Sequence, residues 1–171
     1  ATLVANKIKH SKKVNLLARQ IALFTERQVV SSAYVALGNK ESSPCHWDTR
    51  DVFAIQIIGR KRWTLFEPSM DSPVFTQQSK DFKELHPCPT KPYMDIILEA
   101  GDILYIPRGW WHHPVPLDEP TFHLSVGTFP ALAINYLSWL APHFDNFVES
   151  RKSLNGWTSD RKVLTSLGAR I

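Results

Sequence analysis

A mainly β domain, a sandwich or barrel with helices at both ends, is the fold class this sequence predicts. Three observations point to it. Short segments rich in β-branched and aromatic residues recur between residues 29 and 128. Tight turn residues such as Gly59-Arg60, Gly101-Asp102 and Pro107-Arg108-Gly109 separate them. Helical periodicity appears only before and after that stretch.

The leading helix falls at residues 13–26, where Val14, Leu17, Ile21 and Phe24 mark one apolar stripe and Ser11 is placed to cap it. From Gln28 the period changes. Residues 29–37 put Val29, Ser31, Ala33, Val35 and Leu37 on one face of a strand, which Gly38-Asn39 stops. Residues 52–58 and 61–66 read as two strands with only Gly59-Arg60 between them, a two-residue hairpin signal. Residues 68–93 are rich in Pro, Ser and polar groups and carry no period. A loop of that length in a compact domain is usually functional. Four further strands follow at 95–98, 103–106, 111–115 and 121–128. After Ala131 the pattern is helical again. Leu132, Tyr136, Trp139 and Leu140 mark an amphipathic helix ended by Pro142, then a polar helix at 144–153, then a last short one capped by Ser159-Asp160 and running to about Leu167. Domain organisation follows: residues 1–130 form the β domain with its leading helix, and 131–171 a helical extension.

Size and composition agree with one folded unit. The chain has 171 residues, 43% of them apolar and 21% charged, within the globular norm. Disorder, collagen-like repetition and coiled coil are excluded as descriptions of the whole. No run approaches the roughly 20 apolar residues of a membrane-spanning helix. A net charge of +4 with scattered cations permits a polyanionic partner without arguing for one. No basic face with recognition-helix spacing is present, so there is no direct nucleic-acid signature. Cys45 and Cys88 do not make a disulfide framework, and the N-terminus lacks a secretory pattern, so the expected context is reducing and cytoplasmic.

The chemistry concentrates in two clusters. His46 and Asp48 stand two apart, so on a strand an imidazole and a carboxylate project to one face. Trp110-Trp111-His112-His113 opens another strand 62 residues or so further on. Two His and one carboxylate make the facial triad of non-haem Fe(II) oxygenases, which leaves coordination positions open. Taken alone, a His-x-Asp pair is common and a double His can be a packed pair. Gly-x-Ser-x-Gly, Walker, dinucleotide and CxxC zinc signatures are all absent.

Context raises the metal reading. The run His46-Trp47-Asp48, Gly59-Arg60-Lys61-Arg62-Trp63 and Gly101-Asp102-Ile103-Leu104-Tyr105-Ile106-Pro107-Arg108-Gly109-Trp110-Trp111-His112-His113 resembles the Jumonji-C cupin oxygenases. It is most similar to their ribosomal-oxygenase branch and to the asparaginyl hydroxylase of hypoxia-inducible factor. The likeness covers roughly residues 30–130. It implies a double-stranded β-helix (jelly-roll, cupin) core and dependence on Fe(II), with 2-oxoglutarate and O₂ as cosubstrates.

By position, the resemblance makes His46, Asp48 and His112 the metal ligands, with His113 the alternative to His112. Strand alternation turns those two neighbours opposite ways. Lys61 takes the place of the residue that pairs with the far carboxylate of 2-oxoglutarate. A buried ammonium needs a partner, and a dicarboxylate supplies one. The plainer reading makes Lys61 part of a solvated basic edge with Arg60 and Arg62. Ser43 matches a hydroxyl near the same carboxylate, or is an ordinary turn Ser before Pro44. His123, Ser125 and Gly127 share one strand face. His123 and Ser125 would bond the cosubstrate or order water, against a simple core-edge role. Gly127 departs from the hydroxylase pattern, which has Asn there.

The implied product is a hydroxylated protein side chain, ribosomal proteins being candidate substrates, with succinate and CO₂ released. The implied partner besides the substrate is a second copy held through the C-terminal helices. Two rival expectations keep the same ligands: a metal-binding cupin without activity, and a Zn²⁺ cupin isomerase or hydrolase. The branch usually carries a further C-terminal domain, so this chain reads as a minimal relative or as part of a longer protein.

Overall fold

The computed structural model describes residues 2–38 and 44–152, together with Lys162, Thr165, Ser166 and Ala169. The predicted position of Ser43 and most of the last expected helix lie outside the described residues. The chain divides into two units, Ala1–Pro130 and Ala131–Ile171.

The first unit opens with β1 (Thr2–Ala5), which the sequence reading missed, and α1 (Lys12–Thr25). Ser11 caps α1 by accepting from the Val14 amide. The remaining strands are β2 (Gln28–Ala36), β3 (His46–Trp47), β4 (Asp51–Ile58), β5 (Lys61–Phe66), β6 (Met94–Leu98), β7 (Ile103–Ile106), β8 (Trp111–Pro116) and β9 (Thr121–Phe129). The long connection after β5 holds one helical turn, α2 (Ser79–Phe82).

These strands form two sheets, ordered β1-β2-β9-β4-β7 and β3-β8-β5-β6, with every pairing antiparallel. From β2 onward the chain changes sheet at each connection except β5 to β6. That alternation is a double-stranded β-helix, the jelly-roll arrangement the resemblance implied.

It also corrects one expectation. Gly59-Arg60 does not close a hairpin, because β4 pairs with β7 and β9 while β5 pairs with β6 and β8. The turn is a corner between sheets. A register shift between Gln56 and Ile58 bends the end of β4. Buried Gln56 then ties the corner down, its Nε2 donating to Ile58 O at 2.8 Å and Thr121 Oγ1 at 2.6 Å. Gly59 has φ +66°, and a Cβ there would lie 2.3 Å from the Pro120 carbonyl oxygen. Both facts require glycine. We expect Gly59→Ala to cost about 2 kcal/mol or more, since rigid backbone rather than a movable side chain meets the new methyl. A chemical-denaturation midpoint within error of the parent would overturn this.

Two apolar layers result. Inside the barrel lie Val52, Ala54, Trp63, Leu65, Leu98, Leu104 and Ile106. On the outer face of the larger sheet, α1 seats Ile21, with Val14 and Leu17 packed alongside, against Ala33, Ile55, Leu124 and Val126. Three of the four stripe positions are therefore buried or packed, while Phe24 is 82% exposed at the end of the helix. The face of β2 that carries Val29 and Ala33 belongs to this helix layer. Its other face, with Val30, Ser32 and Tyr34, lines a cavity. Leu37 is exposed and joins neither layer.

In the second unit, α3 (Ala133–Leu140) forms where an amphipathic helix was expected. The predicted polar helix at 144–153 is instead two short 3-10 segments, Ala141–Asn146 and Glu149–Arg151. Pro142 in the first turn and the extended backbone of Phe147 interrupt an α-helical hydrogen-bond ladder there. No helix among the described residues is long and apolar enough to cross a membrane.

Candidate metal centre

His46 on β3 and His112 on β8 face each other directly across the strand pair, as do Trp47 and Trp111 one residue on. Alternation then separates the two pairs. The imidazoles converge, with ring centroids 4.3 Å apart. The indoles pack edge to face at 4.7 Å, and each donates into the 67–93 connection: Trp47 Nε1 to Gln77 O at 3.0 Å, Trp111 Nε1 to Ser69 Oγ at 2.9 Å. That connection therefore braces the two ligand-bearing strands from behind. The sequence predicts a long functional loop there, without a sign of this bracing.

Asp48 stands just past the end of β3, where the Gly109 amide donates to its backbone carbonyl at 3.0 Å. Its Oδ2 lies 3.7 Å from His112 Nε2. One donor atom from each of His46, Asp48 and His112 falls within 4.8 Å of the others, the only such group of three among the described residues. Both imidazoles are oriented by main-chain carbonyls two residues earlier. His46 Nδ1 lies 2.8 Å from Pro44 O, and His112 Nδ1 lies 3.1 Å from Trp110 O. Each Nδ1 donates its hydrogen there, which leaves each Nε2 lone pair free for a metal. Burial, then the neighbouring His46, lowers the His112 pKa to about 4, so this imidazole is neutral at neutral pH. Two imidazoles and one carboxylate suit a divalent first-row ion such as Fe(II). His113 faces the other way, opposite Thr64 of β5, and is outside the group.

A second polar group sits deeper. Lys61 is fully buried, and on β5 it shares its face with Trp63 and Leu65, not with exposed Arg62. The basic-edge reading holds only for its neighbours: Arg60 pairs with Glu119, and Arg62 with Asp95. Lys61 Nζ has no carboxylate partner among the described residues. Its one described hydrogen-bond partner is His123 Nδ1 at 3.3 Å. Burial lowers the Lys61 pKa to about 8. Burial and then the Lys61 charge lower that of His123 to about 3, so its Nδ1 accepts from the ammonium. A buried cation whose described partner is neutral fits an anionic ligand.

One cleft joins the two groups. His123, Ser125 and Trp63 line it together with His46, Asp48 and His112. The sequence reading missed Tyr34, whose ring stacks on His123 at 4.8 Å and completes that wall. It lies opposite His123 in the β2–β9 register, a pairing no local pattern shows.

Beyond Asp48 a wider cavity of about 310 Å³ opens, lined by Tyr34, Arg50, Ser125 and Gly127 among others. Gly127 makes room for Arg50, because a Cβ there would lie 2.7 Å from Arg50 Cδ. The guanidinium rests over Phe129, 5.0 Å from its ring centre. We expect Gly127→Ala to displace Arg50 while costing less than about 1 kcal/mol, since a flexible side chain can yield. Affinity for a ligand in the inner cleft should stay within about twofold, as Arg50 does not line that cleft. A tenfold change in that affinity would count against separate inner and outer compartments.

Fold and site together define a double-stranded β-helix with a 2-His-1-carboxylate centre. The JmjC domain model matches residues 4–136, and the chain belongs to that family. Among curated proteins it is 34% identical over 119 residues to the "bifunctional lysine-specific demethylase and histidyl-hydroxylase NO66" of Drosophila yakuba, covering 67% of this chain and 17% of that protein. Against the Drosophila mojavensis protein of the same name it is 32% identical over 144 residues, 81% of this chain and 16% of the relative. Among solved structures, the Escherichia coli ribosomal oxygenase YcfD superposes with a TM-score of 0.65 at 22% identity, over 99% of this chain and 45% of that one. The chain thus spans under a fifth of these curated relatives and under half of that structure.

Proposed function

We propose that this chain is the core of an Fe(II)- and 2-oxoglutarate-dependent oxygenase that hydroxylates a protein side chain. Buried Lys61, with no carboxylate partner among the described residues and bonded to His123, which lines the cleft that holds the triad, is the observation that carries this reading. His46, Asp48 and His112 would hold Fe(II), and Lys61 the far carboxylate of 2-oxoglutarate. Fe(II) with 2-oxoglutarate and O₂ supplies the C–H hydroxylation, releasing succinate and CO₂.

The chain's own part is placement and exclusion. The Nδ1 hydrogens of His46 and His112, held by Pro44 O and Trp110 O, fix both rings with Nε2 toward one point. Lys61 gives a charge-assisted hydrogen bond at a fixed depth, which sets how far a dicarboxylate reaches back toward the triad. Neutral His123 keeps a second positive charge out of the pocket and holds the ammonium in line. Ser125, at the boundary of both cavities, offers a hydroxyl to either ligand. Tyr34 and Trp63 wall the cleft and keep bulk water from it. The named relatives favour a protein substrate, with ribosomal proteins first to be tried.

The test is an anaerobic titration of Fe(II)-loaded protein with 2-oxoglutarate. A visible charge-transfer band is expected, followed in air by succinate and, on a ribosomal protein or peptide, by the mass of one added oxygen. Bound iron without the band would overturn the reading in favour of a metal-binding cupin. We also infer a homodimer through α3, whose Ile134, Tyr136, Leu137 and Trp139 are all more than half exposed. A monomer by sedimentation at high concentration would remove that inference.

A further inference from the structure

Cys45 and Cys88 stand 43 residues apart in sequence, yet their Sγ atoms lie 3.2 Å from each other as free thiols. Their positions matter more than their closeness. Cys45 immediately precedes His46, and Cys88 lies in the 67–93 connection, the segment that braces Trp47 and Trp111 from behind. Two other contacts already hold that segment to the ligand-bearing side. Gln78 Nε2 donates to Thr49 Oγ1 at 3.3 Å, and Met70 O and Pro73 pack on Gly109. The thiol pair is thus the one contact in this brace that can become covalent.

We propose that Cys45 and Cys88 form a reversible intramolecular disulfide that fastens the 67–93 connection to the strand carrying His46. A small-molecule disulfide such as oxidised glutathione serves as oxidant. One cysteine attacks it, breaking its S–S bond and releasing the first reduced glutathione. The second cysteine displaces the other glutathione from that mixed disulfide. The Cys45–Cys88 bond forms, two protons leave, and two electrons pass to the oxidant. Bond formation needs the sulfurs to close from contact to about 2.05 Å, a small movement for two partly buried side chains. The link does not depend on the oxygenase reading.

The test uses the full chain, incubated with oxidised glutathione, quenched in acid and mapped by mass spectrometry. The expected product has lost two hydrogens, carries no glutathione, and yields a Cys45–Cys88 linked peptide that dithiothreitol reverses. Cys88→Ser should instead retain one glutathione on Cys45. Trypsin reads the fastening independently of any activity, at exposed Lys80 and Lys83 within the connection. Cleavage there should slow by about fivefold or more in the linked form, as local opening becomes rarer. Separate glutathione adducts on both cysteines, links only between chains, or unchanged cleavage would each overturn the proposal.

Discussion

Lys61→Met is expected to abolish 2-oxoglutarate binding and, in the same protein, to raise the melting temperature of the metal-free chain. The two effects have one cause. A fully buried ammonium lacking a carboxylate partner is a cost to the folded state until an anion arrives. The lowering of its pKa from 10.5 to about 8 corresponds to about 3 kcal/mol. Methionine keeps much of the length without the charge. For a chain of this size that is a rise of about 5–10 °C.

The pH dependence fixes the sign. With the folded pKa below the unfolded one, the unfolded chain binds more protons between about pH 8 and 10.5, so parent stability rises with pH across that window. Lys61→Met should lack this rise. Scanning calorimetry at pH 7 and pH 10 checks both points. A variant that melts lower than the parent at pH 7 would mean that the ammonium is already compensated. The pattern is the usual tension between a site prepared for a ligand and the stability of the empty protein.

His112→Ala is expected to remove metal-dependent turnover by at least about a thousandfold and to eliminate the charge-transfer band. His112 is 3% exposed, and its ring stacks with Trp63, 6.1 Å between ring centres, besides facing His46. Truncation therefore leaves a hole as well as a missing ligand, and about 1–3 kcal/mol of stability should go with it. His112→Gln separates the two effects by filling space with a poorer ligand. It should recover most of the stability and little of the turnover. Equal turnover in His112→Ala and the parent, with iron bound in both, would place the third ligand elsewhere, with His113 the next to test.

Much of the candidate site was legible in the sequence because it is local. His46 and Asp48 are two apart, so alternation puts them on one face, and it turns His112 and His113 opposite ways; the resemblance then chose His112 and Lys61 as the inward members. The larger sheet order was legible only through resemblance. Gly59-Arg60 shows why: a two-residue turn between apolar runs has the same local signature whether the strands pair or part to different sheets. Which occurs here depends on Gln56 reaching Thr121, 65 residues away. Tyr34 was missed for the same reason, as its partner His123 is 89 positions distant in sequence and adjacent only through β2–β9 register. β1 was missed because its burial is slight: three of its four residues are exposed, so no amphipathic alternation marks it.

The orientation of His46 and His112 rests on Pro44 O and Trp110 O, two main-chain atoms. A side chain that aims a ligand can be lost to one nucleotide change, whereas a carbonyl survives every substitution at its own position. The aim of this centre is therefore inherited with the path of the chain. Transplanting it into another jelly roll would require copying two backbone turns and three residues, and no supporting cast of carboxylates.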